Sequence, residues 1–229
     1  MGQQLSTPND KIVIPYITTR DGENLGNRST LRAHPTRGLY YTDEVPGDRD
    51  LRGVLWARQG HNPRNNRGQP TGRPIYAQVH PSRQRETMYG LRCQICCREP
   101  ASRTDLGFLF LAELPPPDDA DAGWPEGALT SQPPLCLPHA AVSAERCPPL
   151  IRGHLALRVK TPRLHGVLGL HFRPGWTALL HVLPDQETAI AYQDPRIRWY
   201  LATQLVRRLR GVTVIDLKAE LATAARADQ

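Results

Sequence analysis

Cys93-Gln94-Ile95-Cys96 and Cys136-Leu137-Pro138-His139 are the two stretches on which the fold of this chain turns. Two cysteines three apart form a tight knuckle whose thiolates point at one ion. A second pair at the same spacing completes a tetrahedron, the geometry zinc prefers when its role is structural. The spacing therefore predicts a structural Zn²⁺ held by Cys93, Cys96, Cys136 and His139. The competing reading is that free cysteines simply fill core space. Cys97 adjoins Cys96 and could replace it, while Cys147, His154 and His165 stand downstream as reserves. Pro138 falls where a first helical residue belongs, so residues 140–147 read as two helical turns ended by Pro148-Pro149. A knuckle followed by a ligand pair at a helix start is a treble-clef arrangement.

Between the two pairs, Gly107-Phe-Leu-Phe-Leu-Ala112 reads as a buried strand. The acidic, proline-rich run 114–123 reads as a solvated loop. Upstream, Lys11 to Ile17 is a β-branched run broken by Pro15, so an edge strand. Leu39–Tyr41, Val54–Ala57 and Ile75–Ala77 are further strand candidates, and 82–92 a short basic helix. Residues 59–74, rich in Gly, Asn, Pro and Arg without apolar periodicity, read as a long mobile loop. Downstream, Leu155–Val159, Gly166–Phe172, Thr177–Leu183, 186–192 and Val212–Leu217 read as strands. Asp194 and Pro195 look like a helix start, and Ile197, Tyr200, Leu201, Leu205 and Leu209 recur at helical spacing up to Gly211.

The resulting expectation is an α+β, strand-rich protein with a treble-clef-like zinc module and one principal C-terminal helix. It divides into a basic segment 1–92, the zinc module 93–150, and C-terminal strands plus helix 151–229. Charge follows the same division. Residues 1–92 carry 14 basic and 8 acidic groups (net +6), 93–139 carry 2 and 7 (net −5), and 140–229 carry 13 and 7 (net +6). Basic charge thus flanks the metal region, which argues against the knuckle itself reading phosphates.

Of the 29 basic residues only Lys11, Lys160 and Lys218 are lysine. Arginine suits bidentate phosphate contacts, although a GC-rich genome produces the same bias. The candidate nucleic-acid surface is Arg58, Arg64, Arg67, Arg73, Arg83 and Arg85, with Arg92 at its end and Trp56, His61, Tyr76 and His80 interleaved for base stacking. An ordinary solvated loop is the rival explanation. Arg207, Arg208 and Arg210 are read as cations complementing a helix end. His171 and His181 are read as half-buried strand residues.

Enzymatic signals are weak, and no catalytic residue is assigned. Four good ligands close a metal site against substrate. Residues 97–135 contain neither His nor Asn, which leaves no base for a His-Asn-His nuclease, and no H-x-E precedes Cys136 as a zinc deaminase requires. There is no G-x-S-x-G, Walker loop or G-x-G-x-x-G. The odd cysteine count with metal spacing points to a reducing, cytoplasmic setting. No apolar run approaches a membrane span, and the myristoylation-like Met1–Ser6 carries little weight. The leading expectation is a zinc-stabilised nucleic-acid-binding (DNA or RNA) or regulatory accessory protein. The alternatives are an adaptor that captures a protein partner through the acidic proline-rich loop and a sheet edge, and an enzyme whose site follows no motif.

Arg92-Cys-Gln-Ile-Cys-Cys-Arg-Glu-Pro100, Pro134-Leu-Cys-Leu-Pro-His139, Asp194-Pro-Arg-Ile-Arg-Trp199 and Leu205-Val-Arg207 together resemble a family of uncharacterised proteins from high-GC actinobacteria such as streptomycetes. The likeness runs from Pro15-Tyr16 to Asp216. It implies a Cys-x-x-Cys second pair in relatives, with His139 a conservative ligand change. It also implies glycine where Cys97 stands, which favours Cys96 as ligand, and a bacterial cytosolic setting. It implies no established activity.

Overall fold

The computed structural model describes residues 13–26, 28–98, 100–115, 123–174, 180–182 and 189–227. The first part of the chain gives β1 (Thr18–Arg20), β2 (Leu31–His34), β3 (Gly38–Tyr41), β4 (Leu55–Trp56), β5 (Pro74–Val79) and helix α1 (Pro81–Gly90). The cysteine-bearing part gives β6 (Arg103–Thr104), β7 (Gly107–Glu113), β8 (Leu129–Thr130), α2 (Leu137–Arg146) and the single turn α3 (Pro148–Ile151). The remainder gives β9 (His154–Val159), β10 (Arg163–Pro174), β11 (Leu180–Val182), β12 (Ile190–Ala191), β13 (Tyr200–Arg208), β14 (Val212–Ile215) and α4 (Leu217–Ala227). The protein is α+β and strand-rich.

Two larger sheets organise the chain. One runs β11-β10-β13-β4, with β12 beside β10 and β8 beside β13; the other runs β14-β9-β7-β6. Both cross the divisions expected from the sequence. β4 pairs in parallel with β13 through Leu55–Leu201 and Ala202–Trp56. β7 pairs antiparallel with β9 from Phe108–Val159 to Glu113–His154. The register of β10 on β13 shifts at Leu164/Gly166 and Leu168/Gly169. A Cβ at Gly166 would lie 1.8 Å from the Ile190 carbonyl oxygen, and one at Gly169 2.3 Å from that of Leu201, so these bulges admit only glycine.

The expected C-terminal helix over 195–209 is instead mostly strand. Only its start is helical: Asp194 accepts the Arg196 N–H at 2.9 Å and Pro195 enters a 3-10 turn, Pro195–Trp199. The chain then straightens into β13. Tyr200 and Ala202 pack in one cluster with Trp56 and Val167, while Leu201 packs in another with Leu31, Leu39 and Phe172. A strand covered on both faces loses its alternation, and its apolar run is then compatible with helical spacing. The principal C-terminal helix is α4, where Asp216 Oδ1 accepts the N–H groups of Lys218 and Ala219. Ala-rich sequence carries it onward.

The N-terminal run also differs. Its described part, from Val13, forms no strand before Thr18; Val13, Tyr16 and Ile17 pack against the cysteine region instead. Residues 59–73 have no helix or named strand, as expected, and β5 begins at Pro74, but the loop is pinned. Asn65 and Gln69 pair across a turn, and Asn62 Nδ2 donates to the carbonyls of Asp21 and Thr71. Residues 116–122 of the acidic loop, 177–179, 183 and 186–188 of the later strand candidates, and Met1–Ser6 lie outside the described residues; the described remainder of those candidates contains β11 and β12.

Helix α1 is locked to β13 by polar side chains. Gln84 Nε2 donates to Leu205 O at 2.9 Å while Gln84 Oε1 accepts Leu205 N–H at 2.8 Å. Arg207 donates to the carbonyls of Met88, Tyr89 and Pro162, satisfying the open end of α1. No helix among the described residues is long and apolar enough to cross a membrane.

Candidate metal centre

Cys93 and Cys96 occupy a tight turn in which Cys97 N–H donates to Cys93 O at 2.8 Å. Cys136 is the N-cap of α2 and His139 lies one turn further on, with Pro138 in the first turn. The first turn of a helix lacks acceptors for its N–H groups, so it orients them toward anionic ligands. The four ligand atoms all lie within 4.8 Å of one another. His139 turns Nδ1 inward, 3.0 Å from Cys136 Sγ and 3.7 Å from Cys93 Sγ. A tetrahedron with metal–sulfur bonds of about 2.3 Å has edges of about 3.8 Å. The Cys3His group fits that shape and could hold a metal ion.

The electrostatics favour thiolate. A hydrogen bond from the Cys136 thiol draws Cys93 down to about 3 against the opposing effect of burial, helped by His139 and by the Cys136 and Cys96 backbone N–H groups. The same thiol contact pushes Cys136 up, and burial adds to it. Binding of a cation would hold these thiols as thiolates and release their protons.

The centre rests on an apolar floor of Ile95, Leu109, Leu111, Leu135, Ala140 and Leu217. Its knuckle is held from the N-terminal side. Tyr16 N–H donates to Ile95 O at 3.0 Å, Ile17 N–H to Gln94 O at 3.4 Å, and Gln69 Nε2 to Cys96 O at 3.1 Å. From the other side, Gln94 N–H donates to Pro134 O at 3.1 Å.

The alternative ligands are elsewhere. Cys147 caps the far end of α2, on the order of 15 Å along the axis. His154 Nδ1 meets the Leu150 carbonyl, and His165 lies beside Arg208. Cys97 points to Glu86, its Sγ 3.7 Å from Oε1, and burial together with that carboxylate raises its thiol to about 12. Its backbone sits at φ 54, in the left-handed region that glycine adopts most readily.

The six candidate arginines separate into two groups. Arg83 is buried against Glu23, with bonds of 2.6 and 2.7 Å, and its side chain is 3% exposed. Arg58 joins Asp48 and Asp43 and lies over the Tyr41 ring. Neither guanidinium is free for a ligand. Arg85 donates to Gly47 O and lies over Trp56. Trp56 and His80 are themselves buried, which removes two expected stacking residues; Tyr76 remains 59% exposed. Arg64, Arg67 and Arg73 are exposed, Arg64 bonding to Tyr16 Oη and Arg73 lying 3.8 Å from Asp21. Arg98, absent from the sequence-derived set, donates from Nε to the Arg67 carbonyl at 2.8 Å. Its position beside the knuckle was the available signal.

Arg208 and Arg210 are no helix end either: Arg208 reaches Gly127 O and Arg210 approaches Glu126. His171 is half-buried, as expected, and stacks on Tyr200. Among the described residues, one surface hollow of about 530 Å³ is bordered by the Glu113–Arg152 ion pair, and another of about 170 Å³ is lined by apolar residues such as Phe110, Trp124 and Leu209 together with Glu113, Thr130 and Gln132. Comparison with models of known families, with curated proteins and with solved structures finds no match to this chain.

Proposed function

We propose that this chain is a zinc-stabilised nucleic-acid-binding accessory protein whose phosphate contacts come from arginines flanking the metal knuckle. Three thiolates and one imidazole in a near-tetrahedral group are a soft donor set suited to Zn²⁺. With the knuckle at one end and the start of α2 at the other, the module is treble-clef-like. Four protein ligands close the coordination sphere, so the ion would serve structure.

The observation that carries the binding reading is the Arg98–Arg67 contact. It folds the 59–74 loop onto the knuckle, so exposed arginines distant in sequence gather there: Arg64 and Arg67 from the loop, Arg92 and Arg98 from the knuckle's flanks. Glu86 is the nearby counter-charge, 3.9 Å from Arg64. Flexible guanidiniums so placed suit phosphate oxygens. The test is binding of metal-loaded protein to labelled random DNA and RNA across a salt series. Affinity should fall steeply on a log–log plot, and Arg64→Ala/Arg67→Ala/Arg98→Ala should reduce the slope by about 2 to 3. An unchanged slope removes this surface from the reading, and absence of binding at low salt overturns the function.

A further inference from the structure

A second arginine surface lies away from the knuckle, where the β2–β3 turn meets the 3-10 turn before β13. The two turns are in direct contact: Arg198 reaches the Thr36 carbonyl, and a Cβ on Gly38 would lie 2.2 Å from the Arg198 carbonyl oxygen. His34 Nδ1 accepts from Thr36 and Arg37 N–H, which shapes the turn and directs Arg37 outward. On the adjoining strand, His171 stacks on Tyr200 with ring centroids 4.6 Å apart; burial lowers the pKa of His171, and the nearby Arg173 and Arg196 charges lower it further. Arg37, Arg173, Arg196 and Arg198 are all exposed. Among the described residues only Arg196 of these four has an ion-pair partner, Asp194.

Aromatic rings stand beside these cations. Arg37 lies over Tyr40 at 5.5 Å and Arg198 over Trp199 at 5.8 Å from the ring centroids, with both rings partly exposed. Guanidinium and ring planes both accept a stacked base, and the remaining N–H groups meet phosphate. Among the described residues, no exposed large aliphatic side chain falls in this patch. Bases are available for such stacking only in an unpaired strand.

We propose that this end of the protein is a binding site for single-stranded nucleic acid, with Tyr40 and Trp199 as stacking residues and Arg37, Arg173 and Arg198 as phosphate contacts. The proposal rests on the nucleic-acid reading above and adds to it a second site and a strand preference. The test uses the full metal-loaded chain and oligothymidylate of about twelve nucleotides, a length suited to one single-strand site. Binding should quench tryptophan emission, and Trp199→Phe should abolish most of that change while leaving affinity within a factor of a few. Arg37→Ala/Arg173→Ala/Arg198→Ala should weaken binding at least tenfold and lower the salt slope by about 2. Unchanged metal content and thermal unfolding would show that the fold is intact. The knuckle variant Arg64→Ala/Arg67→Ala/Arg98→Ala should retain the quench.

A chain that binds neither single strands nor duplex overturns both readings. Binding that survives the Arg37/Arg173/Arg198 variant undiminished, or lacks a Trp199 signal, overturns this site alone. Equal affinity for duplex and single strand overturns the strand preference.

Discussion

Glu23 and Arg83 form a bidentate ion pair that is almost wholly closed to solvent, with side chains 0% and 3% exposed. The pair bolts the loop after β1 to the first turn of α1. Burial would raise the Glu23 carboxyl, but Arg83 and the N–H groups of Arg20 and Asn62 outweigh it and hold the group at about 2. A depressed carboxylate adds stability that is full above its unfolded value and is lost as pH falls toward its folded one. Denaturant unfolding should therefore show stability declining from about pH 5 to pH 2. Glu23→Ala should cost about 3–5 kcal/mol at neutral pH, because it strands the Arg83 charge. A loss below about 1 kcal/mol would show that solvent reaches the pair.

Cys93→Ser or Cys136→Ser should release the metal and open residues 90–150 to protease. A structural zinc supplies on the order of 10 kcal/mol of apparent folding free energy in small modules. Metal analysis beside limited proteolysis checks this; full metal and full resistance in either variant would remove that residue from the ligand set.

Cys97→Gly and His139→Cys should both retain one equivalent of metal. Cys97 faces Glu86 rather than the ligand group and occupies a left-handed backbone position, so glycine relieves strain there. A thiolate at 139 keeps a donor on the same turn of α2. Loss of metal from the first variant would make Cys97 a ligand.

His80 is fully buried, and burial lowers its ring to about 4, with Arg83 and His61 also opposing protonation. The ring stays neutral in the folded protein while the unfolded chain takes up a proton below about pH 6.5. Stability should thus fall as pH drops from about 6.5 to 4. His80→Gln should remove about one proton from that slope, measured by unfolding at closely spaced pH values. An unaltered slope would assign the transition to another group.

Replacing Gln84 with Leu should cost about 2–3 kcal/mol, since a buried strand N–H and a carbonyl at Leu205 lose their partner together. Thermal unfolding checks it, and a change within error would mean that the strand amide finds another acceptor.

The ligand group was legible because its information is local. Each pair sits within four residues, and the proline after Cys136 marks the helix that carries the second. β7 and β9 were legible for the same reason, as short apolar runs bounded by turns. The arginines were not. Arg83 owes its burial and pairing to Glu23, a partner distant along the chain, and Arg58 is paired by Asp48 and Asp43 across a loop whose path the local sequence does not reveal. β13 failed for a related reason: its cover on both faces comes from other segments, so its own pattern does not separate strand from helix.

The parallel pairing of Leu55 with Leu201 has a consequence for how the protein comes into being. β4 cannot find its sheet neighbour until the ribosome has released most of the chain, and the parallel pair needs a long loop closed before its hydrogen bonds repay that entropy. The first third must therefore wait, its apolar Val54, Leu55 and Trp56 uncovered, for a strand made late. Such a topology folds slowly, with apolar surface exposed while it does so.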